Sequence, residues 1–135
     1  MTLGPWDLPA FPRLLGVTII EVSPDRVRTE LLVRHELTTT HRVMHGGVVM
    51  TLADNAAGIA TIANLPPGSR VTTVECKTNF FAAIPEGDVA RTECTPLHRG
   101  RTTMVWETRI TRGDGRLAAL VTQTQLVLPP DAVEV

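Results

Sequence analysis

The spacing of apolar positions changes along this chain, and each change marks an element. GVTIIEVS (16–23) and RVRTELLVR (26–34) read as two strands, with Pro24-Asp25 as the turn between them. Ahead of them, prolines 5, 9 and 12 make residues 1–15 an irregular lead-in with a short helical turn near Leu14. A polar connection, HELTTTHRVM, then leads to Gly46-Gly47. From Gly46 to about Asn64 the residues Val48, Val49, Leu52, Ala53, Ala56, Ile59, Ala60 and Ala63 cover most of a helical circumference. A helix apolar nearly all round is expected to be buried. Pro66-Pro67 ends it.

Beyond the helix the pattern is strand-like to the end. VTTVECKTNFFAAI, DVARTECTPLH, RTTMVWETRITR and RLAALVTQTQLVL are rich in β-branched residues. Pro85-Glu86-Gly87, Arg99-Gly100 and Gly113-Asp114-Gly115 separate them, and short turns of this kind predict antiparallel neighbours. In RTTMVWETRI, Met104, Trp106 and Ile110 alternate with polar residues, Val105 excepted, so one face is expected to be buried. Two strands, one helix and four strands, with no repeat and no linker, predict an α+β class. A single domain over 1–135, its one long helix wrapped by a curved antiparallel sheet of about six strands, satisfies that order with one core.

The helix carries one anomaly. From Gly46 through Ser69, Asp54 is the only ionisable side chain. An acid alone in an apolar run points to a function, although a structural Asp bonded to Thr51 or Asn55 is the alternative. Composition narrows the chemistry around it. With 43% hydrophobic and 20% charged residues and a net charge of −1, nothing suggests nucleic-acid binding. Cys76 and Cys94 stand far apart in no metal-ligand pattern, and are expected as reduced, strand-borne residues of a cytoplasmic protein. The opening residues lack a basic start and a long apolar core, so no signal peptide is expected; the helix is too interrupted for a membrane span.

HGG at 45–47, Asp54 nine residues after His45, NFFAAIPEGD, HRGR and GRLAALVTQTQLVL together resemble the hotdog-fold acyl-CoA thioesterases. The likeness is greater to the branch typified by the phenylacetate-pathway (PaaI-like) thioesterase, and runs from about Gly16 to Leu128. It implies the hotdog fold, a dimer or a dimer of dimers with sites at the subunit interface, and hydrolysis of an acyl- or arylacyl-CoA. No cofactor and no metal are implied, CoA being part of the substrate, and neither a nucleic acid nor a membrane is expected as partner.

The resemblance assigns roles. Gly46, helped by Gly47, would offer a backbone N–H to the thioester oxyanion at the positive end of the helix. Asp54 would either attack directly or activate a water, and both routes stay open. His45 would position the glycines, Thr73 would orient water or carboxylate, and His98, Arg99, Gly100 and Arg101 would meet CoA phosphates. Thr73 also reads as one more strand threonine, and 98–101 as a solvated basic turn. The acyl pocket is expected between subunits, with some of Met50, Phe80 and Phe81 in its lining. Eight residues separate Gly46 from Asp54, about 12 Å along a helix, so one carbonyl reaches both only across two subunits.

Two positions depart from the family. Thr39 stands where relatives carry Asn or Gln, and Arg42 where Gly is common; His41 or Thr40 would have to replace the missing amide. A non-catalytic acyl-CoA-binding module is the main alternative, since it would keep the Gly-Gly helix start and the basic turn. A hotdog hydratase lacks its His/Asp motif here, and His41 with His45 make a poor zinc site without a third ligand.

Overall fold

The computed structural model describes residues 6–129. A short helix α1 (Ala10–Leu15) precedes strands β1 (Thr18–Ser23) and β2 (Arg26–Leu32). Two turns of 3-10 helix lead to α2 (Gly46–Ile62), followed by β3 (Arg70–Phe80), β4 (Val89–Arg99), β5 (Thr103–Thr111) and β6 (Leu117–Leu128). The predicted helical turn is thus a helix of its own, inside what reads as an irregular lead-in. Pro9 caps it and Pro12 lies in its first turn, where a missing N–H costs no helical bond. Residues 1–5 of that lead-in lie outside the described ones.

All six strands form one antiparallel sheet in the order β1-β2-β4-β5-β6-β3. The order corrects one expectation. Pro85-Glu86-Gly87 does not join neighbours: β3 pairs with β6 at the far edge, and β4 lies beside β2. The chain between them crosses the end of the sheet, held by Phe81 N–H to Ala118 O (2.8 Å) and Met44 N–H to Ile84 O (2.8 Å). Those bonds satisfy backbone groups that a hairpin would have paired within itself.

The sheet wraps α2. On the alternating face of β5, Met104, Trp106, Thr108 and Ile110 are buried, as the period-2 pattern predicts. Trp106 is buried completely against Ala56, Ala57 and Ala60, whose small side chains let the sheet approach the helix. Its indole N–H donates to Thr61 Oγ1 at 2.9 Å, and Thr61 passes the bond on to Ala57 O at 2.7 Å.

The helix is not covered all round, which corrects a second expectation. One curved sheet can line only one side of a cylinder. Val49, Leu52, Ala53, Ala56 and Ala60 face it, whereas Met50 stands exposed on the uncovered side and Asp54, also exposed in the single chain, lies at the sheet's β3 edge. No described helix is long and apolar enough to cross a membrane.

Both cysteines are free thiols, on β3 and β4 as expected. Burial pushes the Cys94 thiol up to about 12. Labelling with an aromatic disulfide reagent at pH 8 should leave Cys94 untouched in the native protein and modify it only in denaturant. Cys76 is raised as well, by burial and then by the Asp54 carboxylate, and should react slowly. Fast modification of two thiols in the native protein would contradict the packing of β4.

Candidate functional site

His45 ends an extended stretch (φ −63°, ψ 134°) and caps α2. Its Nδ1 accepts the Gly47 N–H at 2.8 Å, while its carbonyl accepts those of Val48 (2.9 Å) and Val49 (3.2 Å). The remaining first-turn donor, the Gly46 N–H, has no partner among the described residues. A Cβ on Gly47 would lie 3.0 Å from His45 Nδ1, so a larger residue there would push the capping ring. His45 thus holds Gly47 through a ring nitrogen that accepts rather than donates. His45→Ala should lower stability by about 1 kcal/mol, or about 4 °C in Tm, by calorimetry. An unchanged Tm would remove the cap from the account.

Two turns into α2, Asp54 meets the far edge of the sheet. Its Oδ1 accepts from Thr73 Oγ1 at 3.0 Å and from Gln123 Nε2 at 2.7 Å. Thr73 Oγ1 in turn accepts from Gln123 Nε2 at 3.1 Å and Gln125 Nε2 at 2.9 Å. Strand register explains the convergence. Thr73 lies opposite Gln125 across β3 and β6, a bulge follows at Val74, and Gln123 shares a face with Gln125 two residues away. Thr51 and Asn55 do not hold Asp54: Thr51 Oγ1 donates to Gly47 O at 2.8 Å instead. Thr73 is thus joined to Asp54, while the glutamines behind both escape a reading by motif. Their signal is parity, since they follow Ala119 and Val121 on the buried face of β6.

Two cavities flank these groups. An open groove of about 510 Å³ runs beside Asp54 between α2 and the segment before α1, lined by Trp6, Phe11, Asn55, Gly58, Ile59 and Ile62 among others. A second, of about 310 Å³, holds Gly46 with Met44, Val49, Phe80 and Phe81. Phe80 and Phe81 therefore line the Gly46 cavity and not the groove at Asp54. Met50 lines neither and stands exposed on the open face of α2.

The other expected residues sit apart. Thr39 is exposed, and its backbone N–H bonds Val43 O at 2.8 Å. His41 (φ 63°) and Arg42 (φ 52°) both adopt left-handed backbone. Arg42 thus keeps the conformation that a glycine would supply freely, held by the Glu86 N–H on its carbonyl at 2.9 Å. The Arg99 guanidinium is engaged by Pro24 O (3.0 Å), Asp25 Oδ1 (2.8 Å) and Asn64 Oδ1 (3.4 Å), tying the β1–β2 turn to the end of α2. That end lies ten residues, about 15 Å, from Asp54. His98 folds over Gly100, and Arg101 is exposed. Among the described residues, no three His, Cys, Asp or Glu side chains gather, so His41 and His45 gain no third ligand.

One long helix wrapped by a six-stranded antiparallel sheet, with its polar site on the helix's open face, is the hotdog arrangement. Residues 41–119 match the model of the thioesterase superfamily, and the chain belongs to that family. Over 97 residues it is 31% identical to the 1,4-dihydroxy-2-naphthoyl-CoA hydrolase of Listeria monocytogenes, covering 72% of this chain and 78% of the relative. Among solved structures, AziG of S. sahachiroi superposes with a TM-score of 0.86 at 29% identity, covering 90% of this chain and 98% of AziG. A hypothetical thioesterase protein of Streptococcus pneumoniae, solved with coenzyme A, superposes at 0.78 with 26% identity over 84% of this chain and 86% of its own.

Proposed function

We propose that the protein is an acyl-CoA thioesterase that works as a dimer. Asp54 of one subunit faces the Gly46 amide of the other across the substrate carbonyl. The observation that carries this reading is the pairing of an oriented carboxylate with an unpartnered helix-start N–H, about 12 Å apart on one helix. Neither group alone hydrolyses a thioester. Brought together across two antiparallel helices, they supply attack and oxyanion stabilisation at one carbon.

Two features of the single chain support the dimer. The face of α2 bearing Met50 and Asp54 is uncovered, with Met50 39% exposed. Beside it, β3 is an eleven-residue edge strand carrying Val74 and Phe80, 56% and 55% exposed. An exposed edge strand of this length is normally covered or paired. Pairing β3 with its copy would cover both features at once.

In the reaction, an oxygen nucleophile adds to the carbonyl carbon and the oxyanion rests on the Gly46 amide. The C–S bond then breaks, and CoA leaves as a thiol after taking a proton. Where Asp54 is the base, water is the nucleophile and its proton passes to the carboxylate. Where Asp54 is the nucleophile, an anhydride forms and water opens it. In such a dimer the groove at Asp54 of one subunit and the cavity at Gly46 of the other would flank that carbon and suit the two arms of a thioester. The hydrolase from Listeria and the coenzyme A complex from Streptococcus agree with a CoA thioester as substrate.

The test is thiol release from a panel of acyl-CoAs running from phenylacetyl to medium-chain, with the oligomer measured by sedimentation. Turnover of at least one member by a dimer or larger assembly is expected. Binding without turnover would make the protein an acyl-CoA-binding module, and a monomer with full activity would remove the shared site.

A further inference from the structure

We infer that Gln123 is a positioning residue for Asp54, with Gln125 holding the hydroxyl that lies between them. The inference rests on the thioesterase reading for its kinetics but on geometry for its origin. Gln123 is fully buried, and both N–H groups of its amide are engaged, one by Asp54 Oδ1 at 2.7 Å and one by Thr73 Oγ1 at 3.1 Å. Its carbonyl oxygen Oε1 is buried and has no partner among the described residues. Rotating the amide by half a turn would set that oxygen against a carboxylate, so the orientation follows from charge.

An unpartnered buried carbonyl is costly, and a leucine or methionine would avoid it. A glutamine at this place therefore does not serve packing. What it does is fix a proton arrangement. Thr73 Oγ1 accepts an N–H from each glutamine, at 3.1 and 2.9 Å, which leaves its own proton directed at Asp54. Both donors then converge on Oδ1, the ring of bonds fixes the plane of the carboxylate, and Oδ2 is left as the oxygen that works on the substrate or its water. The whole network stands on strands β3 and β6, which pair with each other from Arg70 to Phe80 with one bulge between Thr73 and Glu75, so its donors sit on paired strands and not on a loop.

The experiment is Gln123→Met, which keeps the volume and removes both donors. Three readouts are taken: steady-state kinetics, thermal unfolding, and the crystal structure of the variant. The positioning role predicts that kcat falls about 10–100-fold with KM within about two-fold of wild type. It also predicts a Tm equal to or above that of wild type, because a half-satisfied buried amide has gone. In an Asp54→Asn background the same change should cost no further activity, since Gln123 acts through Asp54. The crystal structure should show the Asp54 carboxylate rotated away from Thr73.

A lower Tm with kcat unchanged would make Gln123 structural and overturn the inference. So would an Asp54 carboxylate that keeps its place in the variant crystal. A wild type inactive across the acyl-CoA panel would sink the thioesterase reading instead, and the carboxylate position in the variant would still decide the role of Gln123.

Discussion

Asp54→Asn is expected to lower kcat for thiol release by about 10²–10⁴-fold, the range over which a positioned base or nucleophile contributes. The substitution isolates chemistry from structure. An Asn amide oxygen can occupy the Oδ1 place and accept the same two bonds, from Thr73 at 3.0 Å and Gln123 at 2.7 Å in the parent. Only the second oxygen is replaced, by an NH₂ that neither attacks nor takes a proton. Tm should accordingly stay within about 2 °C of wild type, and the dimer should persist. A kcat within two-fold of wild type would return Asp54 to a structural role. Single turnover of wild type in ¹⁸O water then tests the covalent route: label in the Asp54 carboxylate marks an anhydride opened at the Asp54 carbon.

Much of this was legible in the chain, for physical reasons that differ between elements. Apolar spacing placed α2, alternation marked β5, and β-branched content with turn residues placed the other strands. What periodicity could not show was which strands meet. The segment 81–88 looks like a turn by composition, yet β3 pairs with β6, a choice set by how the sheet closes around α2. The open face of the helix was equally invisible. An apolar residue facing a missing partner reads the same as one facing the core, so a helix that reads as buried nearly all round leaves Met50 exposed.

The site divides along the same line. Asp54 stood out because charge is rare in such a helix, and Thr73 came with the family likeness. Gln123 and Gln125 did not stand out, since Thr-Gln-Thr-Gln looks like an ordinary wet strand until its parity is fixed by Ala119 and Val121. Arg99 is legible as a charge at a turn, whereas its bonds to Asp25 and Asn64 depend on how the β1–β2 turn meets the end of α2. Arg42 is a further case, where the residue type gives no sign of the left-handed backbone at φ 52°.

Gly46→Pro should lower kcat by about 10²–10³-fold, the usual cost of one oxyanion donor. Proline is the informative replacement because Gly46 is the first residue of α2, where its missing N–H breaks no helical bond and its φ suits the helix. His45, at φ −63° and ψ 134°, already has the extended backbone that a following proline demands. The cost is crowding: a Cβ at 46 would lie 3.2 Å from Phe80 Cζ, and that ring, 55% exposed, has room to move aside. A folded, dimeric Gly46→Pro with wild-type kcat would dismiss the amide from the mechanism. Mixing it with Asp54→Asn puts the shared site to a sharper test. If each site takes Asp54 from one subunit and Gly46 from the other, a hybrid dimer has one site with both lesions and one with neither. Random reassortment of equal amounts should then restore about one quarter of wild-type activity, half the dimers being hybrids with one of two sites intact. If both groups served a carbonyl within one subunit, every site in the mixture would carry a lesion and nothing would be restored. The two lesions, each damaging alone, can complement only across the dyad.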